Sequence, residues 1–366
     1  MTCMLVCACQ QPVTRTAGKR IQVSTASYSA LEDVVKCQEI VELSRENEAL
    51  MGRLDNTQVY DDFYLFRDNK DILYLFRKDG TFVSNSRKVQ GRGKGEYTLC
   101  LACSYNEHSQ NIEIVTPDGI LFYDHHFDFI RKARFKDGES KSLMFNSVSD
   151  LTSCQHILFS PLENGEKKAF CYVYDSQKEK LVKAIEYPRH CGLITMQQQC
   201  VSDHGFIAFP CLNYVFFTID PETFNCLASV ELDFGKKTLR MEDVDGKNPI
   251  GERQQYLLDC NSAMPLRTYK SGETMVTLIK EGPKRSDFKT AIIDLKTGQY
   301  KLLQYDNGQA RFPIMDFFAD NIIYACVPSE EIGDYVAETL IDGKSTDILS
   351  MQSDQSNYYM IKYHLK

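Results

Sequence analysis

Short apolar runs, each closed by a turn signal, recur along most of this chain. Asp62-Phe63-Tyr64-Leu65-Phe66 is followed by the polar turn Asp68-Asn69-Lys70-Asp71 and a second run, Ile72-Leu73-Tyr74-Leu75-Phe76. Lys78-Asp79-Gly80 then turns the chain into Thr81-Phe82-Val83, and the Asp-Gly pair suits the positive φ of a tight hairpin. The same arrangement returns at Ile112-Glu113-Ile114-Val115, Pro117-Asp118-Gly119 and Ile120-Leu121-Phe122-Tyr123-Asp124. It returns again around Phe170–Asp175, Tyr214–Asp220 and Ala291–Asp294. Runs of this length bounded by turns predict strands buried on both faces.

The turn acids Asp79, Asp124, Asp175 and Asp220 lie 45, 51 and 45 residues apart, the period of a propeller blade. From Asp220 to Asp294 the gap is 74 residues, so a connection there carries an insertion. Units of a few short strands cannot bury both faces alone, and radial packing solves this. Four strands per unit place blades near 51–88, 98–135, 142–186, 192–232 and 263–305. The sixth is expected to combine 311–318, 321–327 and 358–365 with an N-terminal outermost strand over 34–43, which closes the ring. The expected fold is therefore all-β, a six-bladed β-propeller over residues 34–366. Two β-sandwiches would need a linker rich in Gly, Ser or Pro mid-chain, which is lacking.

Composition agrees. Phe (21) and Tyr (20) are abundant and suit half-buried pleated surfaces, whereas the absence of Trp weakens a sugar-binding reading. A net charge of -8 argues against nucleic acid as partner, since phosphate neutralisation needs a basic face. Most of the 14 Cys sit inside apolar runs as small hydrophobes, without a disulfide spacing.

The first nine residues end in Val6-Cys7-Ala8-Cys9, which looks like a bacterial lipobox. We read residues 1–9 as a truncated lipoprotein signal with Cys9 the lipidated residue, and 10–33 as a flexible tether. The expected location is the cell envelope, on its periplasmic or surface side, with membrane attachment by lipid alone.

Several of these pieces together resemble a known family. They are the strand VVKCQEIVEL with Leu50-Met51-Gly52-Arg53-Leu54, the DILYLFRKDGTFV hairpin, GRGKGEY at 91–97, Phe312-Pro313, Val327-Pro328-Ser329 and the terminal YYMIKYHLK. The chain resembles six-bladed β-propeller proteins of Bacteroidetes, commonly predicted lipoproteins and related to NHL-type and TolB-like propellers. The family usually carries Pro where Lys94 stands. Most members have no assigned activity, so the resemblance speaks for the fold.

Candidate chemistry is sparse. The glycines of 91–97 suggest a phosphate loop, but the segment leads into a strand, with no helix N-terminus to meet a phosphate. It reads as an inter-blade joint, with Arg92, Lys94, Glu96 and Tyr97, and on another loop Lys284 and Arg285, as ligand-face candidates. Asp243-x-Asp245-Gly246 with Glu252 partly matches a Ca²⁺ loop, although Met241 takes the first ligand position. Beyond that possible Ca²⁺ no cofactor is expected. Cys100 and Cys103, three residues apart on a strand, should face opposite sides. Asp124-His125-His126 sits in a hairpin turn far from the channel.

Two functions follow. The first is a lipid-anchored, non-catalytic binding or scaffold protein, using a loop-rich face (84–97, 161–168, 233–262, 281–287, 328–356) for an unknown protein partner or small ligand. The alternative is a propeller lyase or hydrolase with a metal site at the central channel. The absence of an acid–His constellation in the sequence favours binding, so no catalytic residue is assigned.

Overall fold

The computed structural model describes residues 18–136, 145, 147–159, 169–186, 200–202, 206–208, 214–220, 222–239, 252, 255–256, 259–284, 287–304, 312, 314–341, 345 and 357–366. Two N-terminal strands, β1 (Lys19–Gln22) and β2 (Val35–Glu42), precede the repeating part. Blade 1 is β3 (Leu54–Val59), β4 (Phe63–Asp68), β5 (Leu73–Arg77) and β6 (Phe82–Asn85). Blade 2 is β7 (Ala102–Asn106), β8 (Asn111–Thr116), β9 (Gly119–Tyr123) and β10 (Phe129–Arg134). Blade 3 is β11 (Ser147–Asp150), β12 (Gln155–Phe159), β13 (Ala169–Asp175) and β14 (Lys180–Glu186). Blade 4 is β15 (Cys200–Ser202), β16 (Phe206–Ala208), β17 (Val215–Ile219) and β18 (Cys226–Asp233). Blade 5 is β19 (Met264–Ser271), β20 (Thr274–Lys280), β21 (Phe288–Asp294) and β22 (Tyr300–Gln304). Blade 6 takes β23 (Phe317–Ala319), β24 (Ile322–Pro328) and β25 (Tyr358–Leu365), and its outermost strand is β2. The protein is a six-bladed β-propeller, with blades where the acid period placed them.

The core lies between blades, and strand alternation explains how. In β4 and β5, Leu65, Leu73 and Leu75 pack against Ile112, Ile114 and Leu121 of blade 2. Their neighbours Tyr64, Phe66, Tyr74 and Phe76 point the other way, into an aromatic layer with Val41, Tyr324 and Met360 of blade 6. Successive residues of a strand face opposite sides, so one strand feeds two interfaces and cannot afford a polar face. Each fully buried large apolar side chain contributes about 1.5–3 kcal/mol.

Closure joins the two ends of the fold. β2 pairs antiparallel with β25 from Val35↔Leu365 to Glu42↔Tyr359. Its far edge is covered by the segment that follows a single helical turn, Ile332–Tyr335. Buried Gln38 donates to the Tyr335 carbonyl (3.0 Å) and accepts from the Ala337 N–H (2.8 Å), while its own N–H donates to the Leu340 carbonyl (2.8 Å).

The stretch expected to be a tether is docked from residue 19 onward. β1 adds a parallel fifth strand to blade 4, pairing Lys19↔Val230 through Gln22↔Asp233. The chain then crosses blade 5, where the Ser29 N–H donates to the Leu302 carbonyl (2.8 Å) and the Ser24 N–H to the Tyr300 hydroxyl (2.9 Å). Ile21 and Val23 are buried against blades 4 and 5, and Leu31 and Val34 between blades 5 and 6. The reading as a tether rested on a polar composition, which conceals these few apolar residues. Residues 1–17 lie outside the described residues.

In an antiparallel meander, first–second and third–fourth turns lie at one end of the ring. Second–third turns and the links to the next blade lie at the other. At the first end, a donor at the outer edge of each blade reaches the third–fourth turn of the next. Ser84 donates to the His125 carbonyl, Arg131 to Ser176 (3.2 Å), Lys183 to Thr223 (3.0 Å) and Lys19 to Leu295 and Lys296 (both 2.7 Å). Lys301 reaches the Asp33 carbonyl (2.6 Å), where β2 enters blade 6, and the Ser44 N–H donates to the Gly80 carbonyl (2.9 Å). Hydrogen bonds of this kind contribute about 0.5–1.5 kcal/mol each.

Gly80 is where this closure tolerates no side chain. Its φ is +89°, and a Cβ would stand 2.0 Å from the Glu42 carbonyl oxygen of β2. Gly80→Val is expected to lower stability by more than the roughly 1–3 kcal/mol of backbone strain alone. Urea denaturation checks this, and an unchanged midpoint would show that the blade 6–blade 1 contact does not limit stability.

Candidate functional site: the axial cavity

Among the described residues, a cavity of about 370 Å³ lies on the propeller axis, lined by the first strands of five blades. Thr57, Gln58 and Val59 come from β3, Ser104 and Tyr105 from β7, Ser147 to Asp150 from β11, Tyr269 to Ser271 from β19, and Phe317 to Ala319 from β23. Its rim is Tyr60, Asp61, Lys78, Glu107, His108 and Asp320. These rim residues belong to first–second and third–fourth turns, so the cavity lies toward the end opposite the inter-blade links.

The wall is polar but organised. Tyr60 donates to the Gln58 side-chain oxygen and accepts the Tyr105 N–H (2.8 Å), and Gln58 donates to the Cys103 carbonyl (2.7 Å). Tyr60 and Tyr105 meet edge to face at 5.3 Å, and the Tyr105 hydroxyl is hydrogen-bonded to His125 Nε2 (2.9 Å). His125, expected far from the channel, thus supports a residue of its wall. Asp61 donates its N–H to Glu107 Oε1 (2.9 Å), and burial raises the Glu107 pKa.

Lys78 is the unusual cation of the rim. Its ammonium stands over the rings of Tyr64 (4.9 Å) and Tyr324 (5.0 Å), and no ion pair with a carboxylate is found for it among the described residues. Burial lowers its pKa to about 8, against the attraction of the ring faces for a charged amine.

Behind the cavity wall, Asp150 joins two groups buried between blades 2 and 3. Asp150 and His156 are cross-strand partners of β11 and β12, so their side chains share the face toward blade 2. From blade 2, β8 contributes Glu113. His156 Nδ1 lies 2.8 Å from Asp150 Oδ1 and 3.0 Å from Glu113 Oε2, and Asn106 donates to Glu113 Oε1 (3.0 Å). The side chains of Glu113 and His156 have no exposed surface and that of Asp150 is 9% exposed. Burial raises the Glu113 pKa to about 7, while the two carboxylates outweigh desolvation at His156 and raise it to about 10. The sequence carried one local signal of this, a carboxylate inside the apolar run Ile112-Glu113-Ile114-Val115.

A model of the 6-bladed beta-propeller family DUF5128 matches residues 14–318. The chain belongs to that family. Among solved structures, a Bacteroides fragilis protein named as a candidate exported protein superposes with a TM-score of 0.75 at 13% identity, over 95% of this chain and 100% of that one. A protein of unknown function from Bacteroides caccae (TM-score 0.40, 12% identity, 69% of this chain and 81% of that one) is more distant. So is BamB of Moraxella catarrhalis (TM-score 0.38, 8% identity, 72% and 63%). No curated protein matches the chain.

The sequence-derived candidates that fall among the described residues sit elsewhere on this propeller. Residues 91–97 link blades 1 and 2, at the end opposite the cavity rim. Arg92 and Lys94 are exposed, and the exposed Glu96 accepts the Gly93 N–H (2.7 Å), bracing the loop. Tyr97 is not a ligand-face residue. It is buried, and its hydroxyl donates to the Asp71 carbonyl (2.7 Å) while accepting from Ser86 (2.5 Å). The glycine that this joint requires is Gly95, at φ +76° with a Cβ position 2.3 Å from the Phe129 ring. Lys284 is exposed and its N–H donates to Asp287 (2.7 Å). Arg285, Asp243, Asp245 and Cys9 lie outside the described residues, and Glu252 is exposed. Cys100 precedes β7 rather than lying on it. Both thiols are buried in the same core between blades 1 and 2, with Arg67 Nη1 3.8 Å from the Cys100 sulfur.

The depressed pKa has a direct readout. After reductive ¹³C-methylation, the Lys78 resonance is expected to titrate near pH 8, as is that of Lys289, whose pKa burial also lowers to about 8, and Lys78→Met assigns the first of the two. Because the folded value lies below the unfolded one, stability should rise with pH between about 8 and 10.5. Lys78→Met reduces that rise and leaves the part due to Lys289, and a Lys78 midpoint above 10 would contradict the burial described.

Proposed function

We propose that this propeller is a binding protein that takes a small amine-bearing ligand in its axial cavity. The observation that carries the reading is the composition of the cavity. Asp61, Glu107, Asp150 and Asp320 outnumber Lys78 and Lys270, and tyrosine rings and serine hydroxyls fill the space between them. Such a lining attracts positive charge and offers both acceptors and ring faces. The site differs from the loop-rich face expected from the sequence, whose segments fall partly outside the described residues and whose described part lies at the link end.

The propeller is further proposed to act in a bacterial cell envelope, lipid-anchored through Cys9, as an NHL- or TolB-like member of a Bacteroidetes lipoprotein group. The lipobox-like Val6-Cys7-Ala8-Cys9 supports this reading, as does the export implied by the name of the Bacteroides fragilis protein. No helix among the described residues is long and apolar enough to cross a membrane. A protein partner on the link-end loops belongs to the same proposal, and a nucleic acid does not. The buried Glu113–Asp150–His156 group beside the cavity favours the second reading, a channel-centred lyase or hydrolase.

Two measurements test these readings. Spermidine or glucosamine should raise the melting temperature of the wild type, reaching about 2.7 kcal/mol of added stability at a hundredfold excess over Kd. Ser149→Phe, which fills the cavity from β11, should abolish that gain, and an equal gain in both proteins would remove the cavity from the reading. For anchoring, the chain produced from its own gene should fractionate with membranes and Cys9→Ala should not. Membrane association that persists in Cys9→Ala overturns lipidation there.

A further inference from the structure

We propose that Glu113, Asp150 and His156 form a binding site for a divalent transition-metal ion of the Zn²⁺ type, reached from the axial cavity. One imidazole nitrogen and two carboxylate oxygens converge here, all within 4.8 Å of one another. They come from two blades, so the ring's assembly rather than any one hairpin creates the donor set.

Two buried atoms of the group, Glu113 Oε2 and His156 Nε2, lack hydrogen-bond partners, and a cation on the Nδ1 side would supply the first of them. His156 Nδ1 carries at most one proton, and it is directed at Asp150 Oδ1, 2.8 Å away. Glu113 Oε2 lies 3.0 Å from the same nitrogen yet has no hydrogen-bond partner, and its side chain has no exposed surface. An unpartnered carboxylate oxygen in an apolar interface is costly, and a second carboxylate beside it raises that cost. A metal bonded to all three atoms satisfies each lone pair at once.

The chemistry and dimensions fit. Nitrogen and carboxylate oxygens are ordinary Zn²⁺ ligands at roughly 2.0–2.2 Å, and catalytic sites keep three protein ligands and one open position. Tetrahedral bonds of about 2.1 Å separate ligands by roughly 3.4 Å, so the contacts of 2.8 and 3.0 Å need open by only a few tenths of an ångström. Asn106 already holds the other Glu113 oxygen at 3.0 Å, and the rings of Phe122 and Tyr174 flank the imidazole at 5.9 and 6.5 Å. These contacts hold Glu113 and the imidazole from outside, while His156 Nε2 has no hydrogen-bond partner. Asp150 lines the cavity, so an ion held on its inner side presents its open position toward that space.

The site shares Asp150 with the amine-binding reading, and the probe is the metal alone, so that the two can fail separately. Chelator-stripped protein is titrated calorimetrically with Zn²⁺ near neutral pH. One equivalent is expected to bind with a Kd of micromolar or below. Glu113→Gln and Asp150→Asn should each weaken binding by roughly tenfold or more, with proton release on binding in the wild type. Asp150→Asn changes a half-buried residue at the cavity edge without changing its shape, so it remains informative if Glu113→Gln fails to fold. Co²⁺ substitution should give a visible spectrum without thiolate charge-transfer bands. No saturable binding, equal binding by wild type and Asp150→Asn, or thiolate bands from the cysteines would each overturn the proposal.

Discussion

Pairing of β2 with β25 is the constraint on which the rest of the ring depends. Every blade hides its two faces against its neighbours, so no blade is complete until the sixth meets the first. The sixth blade is itself completed by joining residues more than three hundred positions apart, from Val35↔Leu365 to Glu42↔Tyr359. The aromatic layer of Tyr64, Phe66, Tyr74 and Phe76 is buried only once Val41 and Met360 arrive from blade 6. Closure of so long a loop is entropically unfavourable at first and is offset only when both faces of the last interface dehydrate together.

Much of this architecture was legible because it follows from local rules. Asp-Gly and related turns recur at nearly constant intervals, and runs such as Ile72–Phe76 have no polar face. The relations between blades were less legible. Glu113, Asp150 and His156 are separated by 37 and 6 positions along the chain, and only radial packing brings them together. Tyr97 looked like a loop residue because it follows three glycines, yet its hydroxyl completes a buried chain from the Leu73 N–H through Ser86 to the Asp71 carbonyl. Cys100 and Cys103 were placed on one strand by their spacing, but the strand begins only at Ala102. The docked N-terminal stretch was hidden for a related reason. Its few buried side chains, Ile21, Val23, Leu31 and Val34, are diluted by polar residues facing solvent.

Charge inside an apolar interface is the other organising theme. Burial acts on each group according to its sign and its company. Lys78, with no carboxylate in ion-pair range among the described residues, is driven toward its neutral form. His156, between two acids, is driven the other way. Removing one member of such a buried group generally costs more than the group contributes as a whole, because the remaining charges are left uncompensated. The axis of this propeller therefore combines a dry perimeter with a centre in which proton positions are set by neighbours rather than by solvent.

The N-terminal stretch also has a mechanical consequence. A pull on the chain ahead of Lys19 would not load the closing strand first. It would be borne by β1 on blade 4 and then by the contacts of Ser24 and Ser29 across blade 5, in sequence, before any tension reached β2. The three blades spanned by this stretch share the load, much as a strap relieves the clasp it passes through, so the ring can be tugged by one end without being unzipped at its seam.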